Sequence, residues 1–118
     1  MPAKIGLVLD CRDPESLAGF WSEALGYTVL GGVENYVLLV DKEGVQPKLL
    51  LQRVPEDKQI KNRMHLDFDV RDVEAEAVRL EKLGARRLEG ESRHEHGTTW
   101  VVMSDPEGNE FCVCDGGA

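Results

Sequence analysis

An internal repeat with an offset of 59 residues limits the folds that are open to this chain. Residues 5–13, IGLVLDCRD, align with residues 64–72, MHLDFDVRD. Further along, residues 36–44, YVLLVDKEG, resemble residues 100–108, WVVMSDPEG. Two amphipathic stretches can resemble each other by chance. Here the order of the segments repeats as well as their letters, so the sequence predicts two copies of one supersecondary unit.

Each copy predicts a strand, a helix and three further strands, which makes the chain an α+β protein with two tandem βαβββ modules. An N-cap residue, Asp13 or Asp72, precedes each helix, and the first helix ends at Gly26. The strands are predicted from alternating apolar residues at about 4–11, 27–31, 35–41, 48–54, 63–70, 85–88, 98–104 and 110–114. The first module covers about residues 1–54, a polar linker 55–62, and the second module about 63–118.

Length and charge exclude several classes of protein. A chain of 118 residues has room for one domain of ordinary size. Its net charge of −8 argues against a nucleic-acid partner and against docking on an anionic membrane. The odd number of cysteines, three, and the absence of a signal-peptide pattern predict a cytoplasmic protein with reduced thiols. Cys11 and Trp21 are expected in the core.

Two stretches resemble motifs of the vicinal oxygen chelate superfamily, which includes glyoxalase I, extradiol dioxygenases and the bleomycin- and fosfomycin-resistance proteins. Residues 13–26, DPESLAGFWSEALG, are similar to the helix motif of that superfamily, with Trp21 in place of its Tyr. Residues 105–109, DPEGN, are similar to its hairpin before the last strand. Residues 62–67, NRMHLD, and 110–113, EFCV, bring the chain nearest to the glyoxalase-like subgroup.

The resemblance covers nearly the whole chain and implies a single glyoxalase-like domain over residues 1–118. In such a domain the mixed sheets of the two modules curl and enclose a concave site. Superfamily members of this size commonly pair modules across chains, so the resemblance also implies a homodimer. It says less about the reaction, because this fold hosts several chemistries.

The resemblance further implies four positions at which metal enzymes of the superfamily place their ligands. Carried over by position, they are Gly6, Gln52, His65 and Cys112. Gly6 has no side chain to donate, and Gln52 offers at best a neutral oxygen. A catalytic metal usually needs about three protein ligands, so the sequence predicts no tightly bound metal and no other cofactor.

Strand alternation gives the candidate ligand-binding residues. His65, Asp67 and Asp69 share one face of their predicted strand, opposite Leu66 and Phe68. A half-solvated sheet face without function is the alternative interpretation. Trp100 and its repeat equivalent Tyr36 could stack on a ligand. The repeat also predicts that Gln52 and Cys112 are equivalent positions at the ends of the two sheets, so both should face one cavity with His65 and Asp67. The predicted ligand-binding set is Gln52, His65, Asp67, Trp100 and Cys112.

Two functions follow from this set. The first is a protein that binds an unidentified small molecule, with its row of carboxylates favouring a cationic or hydrogen-bonding ligand. The second is an enzyme, a lyase, isomerase or dioxygenase, that uses a reduced metal site or a His65/Asp67 acid–base pair. The sequence leaves open which of the two applies, and the metal content of the purified protein discriminates between them. His94, Glu95 and His96 are expected in a solvated loop.

Overall fold

The computed structural model of the chain describes residues 4–115. It consists of two compact units, and the boundary between Lys58 and Gln59 falls inside the predicted linker 55–62. The outer limits predicted for the modules, residues 1 and 118, lie outside the described residues. Within residues 4–115, no helix is long and apolar enough to cross a membrane.

Each unit contains one helix and one sheet, as the repeat predicts. The first unit contains β1 (Leu7–Cys11), α1 (Pro14–Leu25), β2 (Thr28–Val33), β3 (Tyr36–Val40) and β4 (Leu49–Arg53). The second unit contains β5 (Leu66–Asp69), α2 (Val73–Leu83), β6 (Arg86–Arg87), β7 (Arg93–Glu95), β8 (Thr98–Ser104) and β9 (Glu110–Cys114).

Both sheets have the same topology. The strand order is β1-β4-β3-β2 in the first unit and β5-β9-β8-β6 in the second, where β7 also pairs with β8. The first and last strands of each unit, β1 with β4 and β5 with β9, pair in parallel, and the other pairs are antiparallel. The predicted α+β fold with two βαβββ modules and mixed sheets is confirmed, although the sheets are not strongly curled.

The helices begin and end where local signals place them. The Asp13 side chain accepts a hydrogen bond from the backbone N–H of Ser16 at the start of α1, and the Asp72 side chain accepts one from the backbone N–H of Ala75 at the start of α2. Gly26 ends α1 with a φ of 70°, a left-handed conformation that glycine adopts without steric cost.

The helix of each unit covers one face of its sheet. In the first unit Leu17, Leu39 and Leu51 are buried, and Cys11 and Trp21 join them as predicted. The core of the second unit combines three residues of α2 with alternate residues of β5, β8 and β9: Val73, Ala77, Leu80, Phe68, Val101, Met103, Phe111 and Val113. The other face of each sheet, away from the helix, is called the open face below.

Three strand predictions are corrected by the structure. β1 and β5 begin at Leu7 and Leu66, so Gly6 and His65 lie immediately before these strands rather than within them. His94 and Glu95 belong to the short strand β7, whereas a loop was expected. The pairing of β7 with β8 explains the difference. It gives the backbone N–H and C=O groups of β7 hydrogen-bonding partners, which the local sequence pattern cannot show.

Candidate functional site

The open face of the second unit carries three of the predicted site residues side by side. In the parallel pairing of β5 with β9, Asp67 lies opposite Cys112. Because side chains alternate along a strand, Asp67 and Cys112 face away from the buried Phe68 and Phe111. His65, two residues before Asp67, lies on the same side. The structure thus brings together His65, Asp67 and Cys112, three of the five predicted ligand-binding residues, and their binding role stays a prediction.

The three side chains form a compact polar cluster. The Nδ1 atom of His65 lies 3.1 Å from Oδ1 of Asp67. The potential ligand atoms of His65, Asp67 and Cys112 all lie within 4.8 Å of one another. The side chains of His65 and Asp67 remain 41% and 57% exposed, so a molecule in solution can reach both. A neutral imidazole that donates from Nδ1 to Asp67 presents its Nε2 lone pair as a base.

Cys112 enters this cluster as a neutral thiol. Burial, followed by the neighbouring Asp67 carboxylate, raises the pKa of Cys112 to about 11. Both effects disfavour the thiolate, which is the nucleophilic form of cysteine. At neutral pH the thiol therefore offers a weak hydrogen bond and an apolar surface, and covalent catalysis by Cys112 is not favoured.

The raised pKa of Cys112 predicts slow alkylation. In a Cys114→Ser variant at pH 8, Cys112 should react with iodoacetamide at least about tenfold more slowly than the same residue in the urea-denatured protein. The rate should rise as the pH approaches about 11. Asp67→Asn should accelerate the reaction, because it removes a charge that opposes the thiolate. Peptide mass spectrometry gives the rates, and a native rate equal to the denatured rate would contradict the assignment.

A pair of residues that the sequence analysis did not single out holds the start of β5. The Glu110 carboxylate accepts hydrogen bonds from the backbone N–H of Asn62 at 3.2 Å and from Nζ of Lys61 at 3.3 Å. In return, the backbone N–H of Glu110 donates to Oδ1 of Asn62 at 3.4 Å. The Asn62 side chain also donates to the Met64 carbonyl at 3.1 Å. These bonds fix the segment that leads into His65 against β9.

The sequence contained a signal for this pair. The Asn at the start of NRMHLD and the Glu at the start of EFCV both belong to the stretches that resemble the glyoxalase-like subgroup. Their direct contact could not be read from the sequence, because the two residues are 48 positions apart.

The strand register corrects the predicted equivalence of Gln52 and Cys112. In the first unit Gln52 lies between Asp10 and Tyr36. The corresponding row of the second unit is Asp69, Cys114 and Trp100. Gln52 is thus equivalent to Cys114, and Tyr36 is equivalent to Trp100 as predicted.

Leu50, and not Gln52, lies at the position equivalent to Cys112. Leu50 lies opposite Val8, the repeat equivalent of Asp67, and it therefore corresponds to Cys112. The predicted equivalence of Gln52 and Cys112 is wrong because the hairpins before β4 and β9 differ in length, and only the pairing of strands sets the register. Gln52 itself is half-buried on the open face of the first unit.

Trp100 lies one row away from the cluster. It pairs with Cys114 on β9, which is two residues beyond Cys112 on the same face. Asp67 on β5 and Trp100 on β8 lie on either side of β9, so a ligand that contacts both must span about 10 Å across the strands and about 7 Å along them. The Trp100 side chain is half-buried.

The four metal positions that the resemblance implied do not fit a metal site. Gly6 offers no donor, and a Cβ atom there would lie 3.1 Å from Cε of Lys48. The register puts the apolar Leu50 at the position equivalent to Cys112. The second unit has more donors than the four implied positions. They left only His65 and Cys112 as strong ligands, and the structure places Asp67 beside them as a third possible donor. Within residues 4–115 they are the one group of three metal-ligating side chains with this spacing.

Comparison with known families gives one match over most of the chain. A family model described as a glyoxalase-like domain matches residues 6–114. No curated protein sequence matches the chain.

Several solved structures share the fold. A genomically encoded fosfomycin resistance protein from Listeria monocytogenes superposes with a TM-score of 0.79 at 12% identity, covering 98% of this chain and 94% of that one. A glyoxalase/bleomycin resistance protein/dioxygenase family enzyme from Burkholderia phytofirmans PsJN gives a TM-score of 0.75 at 17% identity, with 92% and 94% covered. A lactoylglutathione lyase from Agrobacterium tumefaciens gives 0.67 at 19% identity, with 98% and 96% covered. Identities this low support the fold and not a shared activity.

Proposed function

The chain belongs to the glyoxalase-like domain family, and we propose that it binds a small molecule on the open face of its second unit, at His65, Asp67 and Cys112. The observation that carries the proposal is the grouping of three polar side chains within 4.8 Å on a sheet face that the helix leaves uncovered. Each of them can hydrogen-bond to a ligand while keeping its contact with the others.

The chemistry of the cluster indicates which ligand fits. Asp67 supplies a carboxylate that is 57% exposed, and Asp69 adds a second carboxylate on the same face. Trp100 provides an aromatic surface in the row of Asp69. Carboxylates and an indole on one sheet face favour a cationic or donor-rich group attached to an apolar ring, through charge-assisted hydrogen bonds and a cation–π contact.

Benzamidine, an aromatic cation, tests the proposal in the absence of a known ligand. It should shift the backbone amide signals of Asp67, Trp100 and Cys112 in ¹⁵N-labelled protein, whereas benzoate should leave them unchanged. Asp67→Asn should weaken benzamidine binding at least about tenfold, because an exposed hydrogen bond to a charged group is lost. The unfolding midpoint should change little, since Asp67 is not packed in the core.

Glu91→Gln is the matched control for Asp67→Asn. It removes one negative charge from an exposed residue of the same unit. If Glu91→Gln weakens binding as much as Asp67→Asn, only net charge matters and the site is wrong. If benzamidine and benzoate shift the same signals, or if neither shifts them, the proposal also fails.

A second candidate function is a metal-assisted enzyme, either lyase, isomerase or dioxygenase. The third donor, Asp67, favours it, because three protein ligands with an open position are typical of catalytic zinc sites. Binding a divalent cation would require Cys112 to lose its proton, which its raised pKa opposes. Near one zinc, nickel, iron or manganese per chain by elemental analysis, lost in His65→Ala, would favour this function over simple binding.

An enzyme without a metal could use His65 and Asp67 as an acid–base pair. His65, held by Asp67, would take a proton from a bound substrate at Nε2.

The homodimer, the small-molecule partner and the absence of nucleic-acid and membrane partners stay predictions.

A further inference from the structure

A cavity of about 350 Å³ lies in the first unit, between the segment before β1 and the loop that joins β3 to β4. We propose that this cavity binds a small monoanion with a short apolar chain, such as hexanoate. It is formed entirely by the first unit and does not depend on the function proposed for the second. Its volume is at the lower end of the range for small-molecule pockets, about 300–1,000 Å³.

The charged residues at the cavity favour a ligand that carries one negative charge. Lys4 and Lys48 both line it, and neither forms an ion pair or a side-chain hydrogen bond within residues 4–115. Asp41 is the single carboxylate in the lining. Two ammonium groups and one carboxylate leave a net charge of +1 in a protein whose net charge is −8. A monoanion neutralises that local charge.

The Asp41 carboxylate is engaged by the protein backbone. Its oxygens accept hydrogen bonds from the backbone N–H groups of Glu43 at 3.1 Å, Val45 at 3.2 Å and Gln46 at 2.9 Å. These bonds lower the pKa of Asp41, so the carboxylate stays ionised at neutral pH. Because Asp41 is held in the loop, the two lysines are left to pair with a ligand.

Gly6 fixes the course of the Lys48 side chain. A Cβ atom on Gly6 would lie 3.1 Å from Cε and 3.5 Å from Cγ of Lys48. The alkyl chain of Lys48 therefore crosses the backbone of Gly6 at a distance that a larger residue would disturb. Lys48 is exposed, so a molecule in solution can reach its side chain at the cavity.

The loop over the cavity is held before any ligand binds. The hydroxyl of Tyr27 donates to the Pro47 carbonyl at 2.6 Å, and the backbone N–H of Gly44 donates to the Asp41 carbonyl at 2.9 Å. A preformed site loses less conformational entropy on binding. The apolar residues Ile5, Val40 and Pro47 also line the cavity, together with Gly44 and Gln46, and they suit a short hydrocarbon chain.

The test uses hexanoate as the probe and hexylammonium as a probe of equal chain length and opposite charge. Hexanoate should cause saturable shifts of the backbone amide signals of Gly6, Gly44 and Lys48 in the ¹⁵N-labelled full-length protein. Lys48→Met and Lys4→Met should each weaken hexanoate binding about tenfold, since each keeps an apolar chain and removes one charge. Raising the salt from about 50 to about 500 mM should weaken it as well.

Lys42→Met is the matched control, because Lys42 is an exposed lysine of the same loop that does not line the cavity. It should leave the affinity for hexanoate within about twofold of the unmodified protein. Equal loss in Lys42→Met and Lys48→Met, equal shifts with hexylammonium, or no saturable shift at about 50 mM hexanoate would each overturn the proposal. Tighter binding of inorganic phosphate than of hexanoate would also overturn it, since the apolar wall would then contribute nothing.

Discussion

Replacing Phe111 with alanine is expected to lower the free energy of unfolding by about 3–5 kcal/mol. Phe111, the second residue of β9, is fully buried, and its ring centroid lies 5.1 Å from that of Phe68. The substitution removes an entire ring and leaves a cavity that the neighbouring side chains fill only in part. Urea denaturation followed by circular dichroism measures the loss, which is large against a typical total of about 5–15 kcal/mol.

Phe111→Leu is the control for this prediction. Leucine keeps most of the apolar volume, so the loss should fall to about 1–2 kcal/mol. A loss below about 1 kcal/mol for Phe111→Ala would mean that the ring does not pack between sheet and helix as the structure shows.

Replacing Asp105 with alanine is expected to lower the free energy of unfolding by about 3 kcal/mol. This residue begins the turn between β8 and β9 and is 1% exposed. Its carboxylate accepts hydrogen bonds from the backbone N–H groups of Glu107 and Asn109, both at 2.9 Å, and from the side-chain amide of Asn109. Alanine would leave the buried amide of Asn109 without these acceptors.

Thermal denaturation together with amide hydrogen exchange at Asn109 measures the effect of the Asp105 variants. Asp105→Asn keeps the shape and one acceptor oxygen, so its loss of stability should be intermediate. If Asp105→Ala is as stable as the unmodified protein and the exchange at Asn109 is unchanged, the carboxylate does not hold the turn.

The sequence predicts best what depends on near neighbours along the chain. Asp13 and Gly26 mark the two ends of α1 because a helix cap is a local hydrogen-bonding device. The shared face of His65 and Asp67 follows from the two-residue period of a strand, and the structure places them 3.1 Å apart. The repeat adds the order of the elements, and it therefore predicts both modules.

The sequence does not predict what depends on pairing between distant segments. Gln52 was matched to Cys112, whereas the register makes it equivalent to Cys114, because nothing in either hairpin fixes which residues lie opposite each other. The contact of Asn62 with Glu110 was missed for the same reason. The strand β7 has only three residues, Arg93–Glu95, and its sequence has no strong strand preference.

The parallel pairing of β5 with β9 also has a consequence for how the chain is made on the ribosome. β9 separates β5 from β8 in the sheet, yet it follows both of them in the sequence. Before β9 emerges from the exit tunnel, β5 has no neighbouring strand in its sheet, and His65 and Asp67 stand apart from Cys112. The cluster of His65, Asp67 and Cys112 can therefore form only after β9 has been synthesised, and until then β5 is an unpaired strand that can associate with other chains.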